Sequence, residues 1–381
     1  VGEVSGAVAT LYRVRQRFPD AFLCLTVATP LGFQFAHRQL GDVATIVPSP
    51  LDFPWSVRRA VRTLRPDVYI AFESEFWPNL FALLRRHAIP ALLLNGRISQ
   101  QSACRYQRLQ SLYRPIFEHF HHLAMHSRED GDRAVALGAP PARVEVLGSA
   151  KYDGLMARAA RTDLRRWRHL LRLDAGSPIV VGGSLRRSEC LQLLEVFRRL
   201  RVDEPRLVGI FAPRHLERLP AMAEALEATG TGFQRLSQIT EGGALRTAPV
   251  ILVDRMGMLF ELYGLGNLVF CGGTLEPIGG HNILEPAAWG VAVFYGPHVE
   301  RVQAEHSTLA DVGAGIMVRD GEDLCTQWRH ELQDLPALAV RGRNGREALQ
   351  RLTGAAAAHV EIIAGVLSHA EYTSRVRRGG H

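Results

Sequence analysis

The sequence predicts an α/β protein built from two doubly wound domains, each a parallel sheet with helices on both faces. Short runs rich in Val, Ile, Leu and Phe alternate with helical periodicity along the chain, as strands buried on both faces require. The alternation comes as two successive series. In addition, 381 residues exceed what one core ordinarily fills. The junction falls between Lys151 and about Leu164, drawn as residues 1–155 and 156–381.

The first series opens with "VGEVSGAVATLYRVRQRF", where Val4, Val8, Leu11, Val14 and Phe18 recur at helical spacing behind Gly2-Glu3. Such a helix normally follows a strand, so a strand is expected upstream of Val1. Strand-like "AFLCLTVAT" and "VATIV" follow, then the helix "WSVRRAVRTL" and the strand "DVYIAF". Pro78 suits the first turn of the helix "PNLFALLRRH", which leads to the strand "PALLLN". One long helix is expected over Gln100–His121, then the strand "HLAM", a helix over Arg128–Leu137 and the strand "VEVLG". The second series runs through "PIVVGGS", a helix from Glu189, "LVGIFAPRH", a helix over Leu216–Thr229 and "VILVD". It closes with "NLVFCGG", "NILEPAAW", "VAVFYG" and "GIMV".

Composition narrows the chemistry. An apolar share of 47% and a charged share of 22% are those of a globular protein. The five cysteines are scattered without a C-x-x-C pair, so neither a disulfide framework nor a zinc site is indicated. The histidines lack metal-ligand spacing with carboxylates, and no metal is expected. A net charge of +7 favours anionic partners. The arginines are dispersed and no aromatic-basic signature accompanies them, which argues against nucleic acid. Of 45 Lys and Arg residues only Lys151 is lysine, and an ammonium is a compact charge that arginine replaces poorly in a tight site.

Doubly wound sheets bind ligands beyond the carboxyl ends of their strands, so a cleft between the domains is the expected site. Polar residues gather at those ends in "FESEFWPN", "NGRIS", "GSAKYD", "APRH", "DRMGM" and "GGTLEPIGGHNILEP". In the last of these, Gly272-Gly273 could let backbone amides approach a phosphate before a helix begins near His281-Asn282. The alternative is a glycine-rich turn capped by Asn282, with Glu285 set against the helix dipole. Arg214, straight after a strand, could clamp a phosphate with its planar fork or be a surface cation. Glu73 and Glu75 end a strand and must be exposed, paired or functional. Neither G-x-G-x-x-G nor a P-loop lysine is present.

In this order, "VGEV", "ESEFWPN", "NGRIS", "GSAKYD", "APRHLERLP", "DRMG" and "GGHNILEPAAWG" resemble the lipid A Kdo (3-deoxy-D-manno-octulosonic acid) transferases. The resemblance implies a GT-B fold, two Rossmann-like domains facing across a cleft, with an acceptor-binding first domain and a CMP-sugar-binding second. It implies an inverting glycosyltransferase of lipopolysaccharide biosynthesis that moves Kdo from CMP-Kdo to a lipid A precursor, without a metal or other cofactor. Its partners would be CMP-Kdo, the lipid A precursor and the anionic membrane surface. The expected location is the cytoplasmic face of the bacterial inner membrane, with an anchor upstream of Val1. Glu3 matches the family's catalytic base; Glu73 and Lys151 match positions that stabilise the transition state. Pro213, Arg214, Met256, Gly257, Met258, Asn282, Ile283, Leu284 and Glu285 match the CMP-binding segments. Two stretches depart: the family's M-G-E reads Met256-Gly257-Met258, and its S-T-H-x-G-E turn reads "GGSLRRSE", where Arg186 or Arg187 would substitute. The competing readings are a UDP-sugar enzyme of the same fold and a non-catalytic module binding anionic lipid.

Overall fold

The computed structural model describes residues 2–174, 176–280 and 282–378, with backbone alone for 2, 3 and 369–378. The chain forms two compact units, Val1–Ala157 with Leu352–His381, and Arg158–Arg351. The first junction lies within a few residues of the one expected. At the other end the division differs from the expected 156–381, because the helix Ala355–Arg378 belongs to the first unit.

The first unit contains the parallel pair β1 (Cys24–Val27) and β2 (Thr45–Pro48). Its second sheet runs β3 (Tyr69–Phe72), β4 (Ala91–Gly96), β5 (Phe120–Met125) and β6 (Val144–Val146), all parallel and in that order. The opening periodicity is realised as the helix Gly2–Arg17. Its Val4 packs with Val27, Leu40 and Ile46 beside β1 and β2, while Val14 joins Leu92 and Leu94 of β4. One helix therefore serves two apolar clusters. The expected helix over Gln100–His121 is broken: Gln100–Arg108 and Gln110–His119 meet at Leu109, whose ψ of 39° is not helical. Pro115, which lacks an N–H to donate, sits inside the second piece. Strand β5 then begins at Phe120, inside the range expected to be helical.

The second unit is a seven-stranded parallel sheet ordered β13-β12-β11-β7-β8-β10-β9. Its strands are β7 (Ile179–Leu185), β8 (Val208–Pro213), β9 (Phe233–Arg235), β10 (Val250–Leu252), β11 (Leu268–Cys271), β12 (Val293–Tyr295) and β13 (Gly315–Met317). The sequence order reverses direction between β7 and β11. In an open parallel sheet that switch point leaves a crevice beyond the strand ends. Phe197, Phe211, Phe294 and Trp328 fill one core of this unit.

The returning helix is tied down by two polar contacts. Asp153 accepts from the Gly354 N–H at 3.0 Å and the Ala356 N–H at 3.4 Å, capping the N-terminus of Ala355–Arg378. His359 Nδ1 lies 3.0 Å from Thr10 Oγ1 of the first helix, and both residues are buried. Among the described residues the other ring nitrogen of His359 is buried without a partner, and burial, aided by nearby His122, pushes its pKa down to about 4. Since the unfolded value is about 6.5, the unfolded chain takes up the extra proton between these limits, and stability falls as pH drops from about 6.5 to about 4. The loss should be on the order of 2–3 kcal/mol at the acid end. Thermal unfolding across this range should show a falling Tm, with a shallower pH slope in His359→Leu. An identical slope in the variant refutes the assignment to His359.

Candidate functional site

In the first unit, the ends of β3 and β4 carry two non-glycine residues in the left-handed region: Glu73 at φ 59° and Asn95 at φ 55°. Such backbone costs roughly 1–3 kcal/mol and persists only where the surroundings enforce it. The Glu73 N–H donates to Leu94 O at 3.2 Å, and its own carbonyl accepts from the Arg97 N–H at 3.1 Å. Asn95 is buried, and its Oδ1 accepts from the Ala150 N–H at 3.1 Å. That bond fixes the start of the helix Ala150–Arg161, where half-buried Lys151 follows. Gly6 completes the arrangement: a Cβ there would stand 3.2 Å from Asn95 Nδ2 and 3.6 Å from Glu73 Oε1. A side chain there would need Asn95 Nδ2 to give way by a few tenths of an ångström.

Glu3 lies by backbone in that same first helix, three residues before Gly6; its side chain is outside the described residues. The structure thus gathers Glu73, the Lys151 turn and the helix carrying Glu3 at one end of the sheet. Glu75 has a separate role, accepting from the Trp77 indole N–H. The helix opened by Pro78 is capped from afar, as Asp52 accepts from the Asn79 and Leu80 N–H groups at 3.0 and 2.9 Å.

In the second unit, a pocket of about 170 Å³ opens at the carboxyl ends of β7, β8 and β10. It is lined among others by Ser184, Pro213, Arg214, Met256, Gly257 and Glu285. Ser184 has φ 54°, a third left-handed residue at a strand end. The segment 254–257 is anchored on both sides. Asp254 accepts from the Ser237 N–H at 2.9 Å, and Arg255 grips Glu241 with two bonds of 2.8 and 2.6 Å. From the other side, Arg158 donates to Gly257 O at 3.2 Å and to Glu261 Oε1 at 2.7 Å, with its guanidinium 4.4 Å over the Phe260 ring. Met256 is left 60% exposed at the rim, and Gly257 turns with φ 90°. Met258 is not among the lining residues; it precedes the helix Leu259–Tyr263.

Asn282 donates through Nδ2 to Glu285 Oε1 at 3.2 Å, which orients the carboxylate. Ile283 and Leu284 are fully buried and do not line the pocket. His281 lies outside the described residues. The helix they begin, Leu284–Ala288, is barely more than one turn long, too short for a sizeable dipole.

The glycine-rich turn differs from the phosphate cradle the sequence suggests. Its amides are already taken by a carboxylate of the protein. Glu189, fully buried, accepts from the N–H groups of Gly273 (2.7 Å), Thr274 (3.0 Å), Leu275 (2.9 Å) and Arg186 (2.8 Å). The Gly272 N–H donates to Gly183 O instead. Sequence reasoning missed Glu189 because three of its four partners lie more than eighty positions away. It also missed Ser184, Arg158 and Asn95; a polar residue at a strand end was the available signal for two of these.

Replacing Glu189 with Gln puts an NH₂ group against backbone donors and should destabilise the chain by roughly 2–4 kcal/mol. Urea unfolding measures this. A change below about 0.5 kcal/mol would show that the carboxylate does not organise the turn.

The sequence model of the family described as 3-Deoxy-D-manno-octulosonic-acid transferase (kdotransferase) matches residues 1–154. A 3-deoxy-D-manno-octulosonic acid transferase of Chlamydia pneumoniae is 31% identical over 326 residues, covering 85% of this chain and 74% of the relative. One from Haemophilus influenzae is 30% identical over 356 residues, covering 93% and 82%. Among solved structures, UDP-GlcNAc 2-epimerase from Neisseria meningitidis superimposes over 97% of each chain, with TM-score 0.63 and 12% identity. At that identity the likeness shows the fold alone, two Rossmann-like domains of the GT-B type.

Proposed function

This chain belongs to the 3-deoxy-D-manno-octulosonic acid transferases, and on that premise we propose that it moves Kdo from CMP-Kdo to a lipid A precursor, inverting the anomeric carbon. The observation that carries the donor half is the convergence of Pro213, Arg214, Met256, Gly257 and Glu285 on one pocket at the strand ends. Arg214 holds the phosphate of the leaving nucleotide through a charged, bidentate contact, and Glu285 accepts from the ribose hydroxyls. With Arg214 in that role, no divalent cation is required. Glu3 takes the proton from the acceptor hydroxyl as it attacks, since an alcohol is a poor nucleophile unaided. Glu73 and Lys151 stabilise the charge that develops, Lys151 by balancing charge on the Kdo carboxylate or the departing phosphate.

The test is transfer itself: the chain, CMP-Kdo and a lipid A precursor, with product mass as the readout and EDTA without effect. Glu3→Gln keeps the shape but cannot accept the proton, and should lower turnover ~10²–10⁴-fold while CMP still protects against heat. Near-normal turnover in that variant would remove Glu3 from the mechanism. Protection by UMP equal to that by CMP would favour a UDP-sugar donor.

The acceptor is a lipid, and we place its approach on the helix Pro54–Leu64, at the cytoplasmic face of the inner membrane. Among the described residues no helix is long and apolar enough to cross a membrane. Val57 and Val61 of this helix are buried, whereas Arg58, Arg59, Arg62 and Arg65 are exposed. At its start Phe53 and Trp55 stack with ring centres 6.0 Å apart, 52% and 72% exposed, beside exposed Leu51. Aromatic and basic groups together suit an anionic headgroup layer, each cation contributing ~1 kcal/mol at low salt. Changing the four arginines to Gln should weaken binding to anionic liposomes and slow turnover on vesicle-embedded acceptor, leaving detergent-dispersed acceptor little affected. Unaltered liposome binding refutes this docking face.

A further inference from the structure

At the switch point of the second sheet, the turn after β7 and the turn after β11 lie against each other. Two halves of the glycine-rich turn close there, the Gly280 N–H donating to Gly273 O at 2.9 Å. Each half carries an arginine along it. A Cβ on Gly273 would stand 3.6 Å from Cδ and Nε of Arg186. A Cβ on Gly279, at φ 92°, would stand 2.8 Å from Cγ of Arg301. Arg214 belongs to the same neighbourhood, its N–H donating to Leu185 O at 2.9 Å, one residue before Arg186.

Several neighbouring arginines of this unit are paired with carboxylates: Arg158 with Glu261, Arg187 with Glu276, Arg255 with Glu241. Among the described residues, Arg186, Arg214 and Arg301 form no ion pair, although Arg186 and Arg214 are half-buried. Glu189 is near Arg186, but its oxygens are occupied by backbone N–H groups. The Arg186 guanidinium is held below its usual range first by burial and next by Arg214, with Arg301 and Arg187 adding to the repulsion against the pull of Glu189. Arg214 lines the pocket and Arg186 and Arg301 stand beside it; half-buried like charges without carboxylate partners carry a cost that a bound anion recovers.

Resting on the CMP-Kdo reading, the donor brings two anions to this place. Kdo is a 2-keto sugar acid, so its anomeric carbon bears a carboxylate next to the phosphate it is leaving. With Arg214 given to the phosphate, the carboxylate calls for a further cation. We propose that Arg186 and Arg301 form a separate carboxylate subsite for the acidic sugar, beside the phosphate contact of Arg214. The subsite would select an acidic sugar over a neutral one on the same nucleotide. Its chemistry is independent of the Gly273, Thr274 and Leu275 amides, which Glu189 occupies.

The experiment compares KM for CMP-Kdo with the inhibition constant of CMP, which has the phosphate but lacks the carboxylate. Arg186→Gln, Arg301→Gln and the double variant should raise KM for CMP-Kdo about tenfold or more, with the CMP constant changed less than about threefold. Arg186→Lys should recover part of the loss. A parallel rise in both constants would assign the pair to the phosphate and overturn the subsite; an unchanged KM would make them surface cations and overturn it too. A wild-type chain that transfers nothing from CMP-Kdo fails at the earlier step, refuting the donor reading and the subsite with it.

Discussion

The second unit is organised around one buried carboxylate. A carboxyl group in an apolar interior would be costly without partners, yet Glu189 accepts from four main-chain N–H groups contributed by two turns. The bonds fix the turn after β11 against the turn after β7, across the point where the sheet reverses its order. The Arg186 backbone and the glycine turn inherit their position from that closure, whereas Met256 and Gly257 are held by the bonds of Asp254, Arg255 and Arg158. The carboxylate also settles how the turn treats a ligand. A nest of amides that already holds an internal anion cannot hold an external one, so recognition passes to side chains.

A second regularity is the use of strained backbone at strand ends. Glu73, Asn95 and Ser184 all adopt left-handed conformations that glycine would enter more easily. Each retains a side chain that is put to use. Asn95 Oδ1 receives the Ala150 N–H, Ser184 lines the pocket, and Glu73 approaches Gly6. Gly183 makes the complementary concession: a Cβ there would stand 2.2 Å from the Tyr263 hydroxyl. That phenol is deeply buried, which pushes its pKa well up and keeps it neutral.

Much of this was legible in the sequence where the signal is local. Val57 and Val61 are buried as their spacing requires, and the Val- and Phe-rich runs became strands. Pro213, Arg214, Met256, Gly257 and Glu285 reached one pocket, as their positions at strand ends implied. What failed was non-local. The run over Gln100–His121 has helical composition throughout, and nothing nearby announces that Leu109 interrupts it or that β5 claims Phe120. Glu189 reads as an ordinary first-turn acid, because three of its four partners are brought to it by the sheet and only Arg186 is a sequence neighbour. The reversed reading of the glycine turn follows from that single omission.

The return of the chain after Arg351 makes the first unit discontinuous in sequence, with the second unit inserted between its parts. The Asp153 cap and the Thr10–His359 contact join residues separated by the whole of that insert. During synthesis the second unit can therefore finish folding while the first still lacks a helix over Val14, Leu92 and Leu94. Until the last helix emerges, that apolar surface stays open to water and to other chains. Contacts of such long sequence separation form late and slowly. The nascent first unit is the stage at which chaperone assistance would matter, and the arrival of the C-terminal helix is the event that ends it.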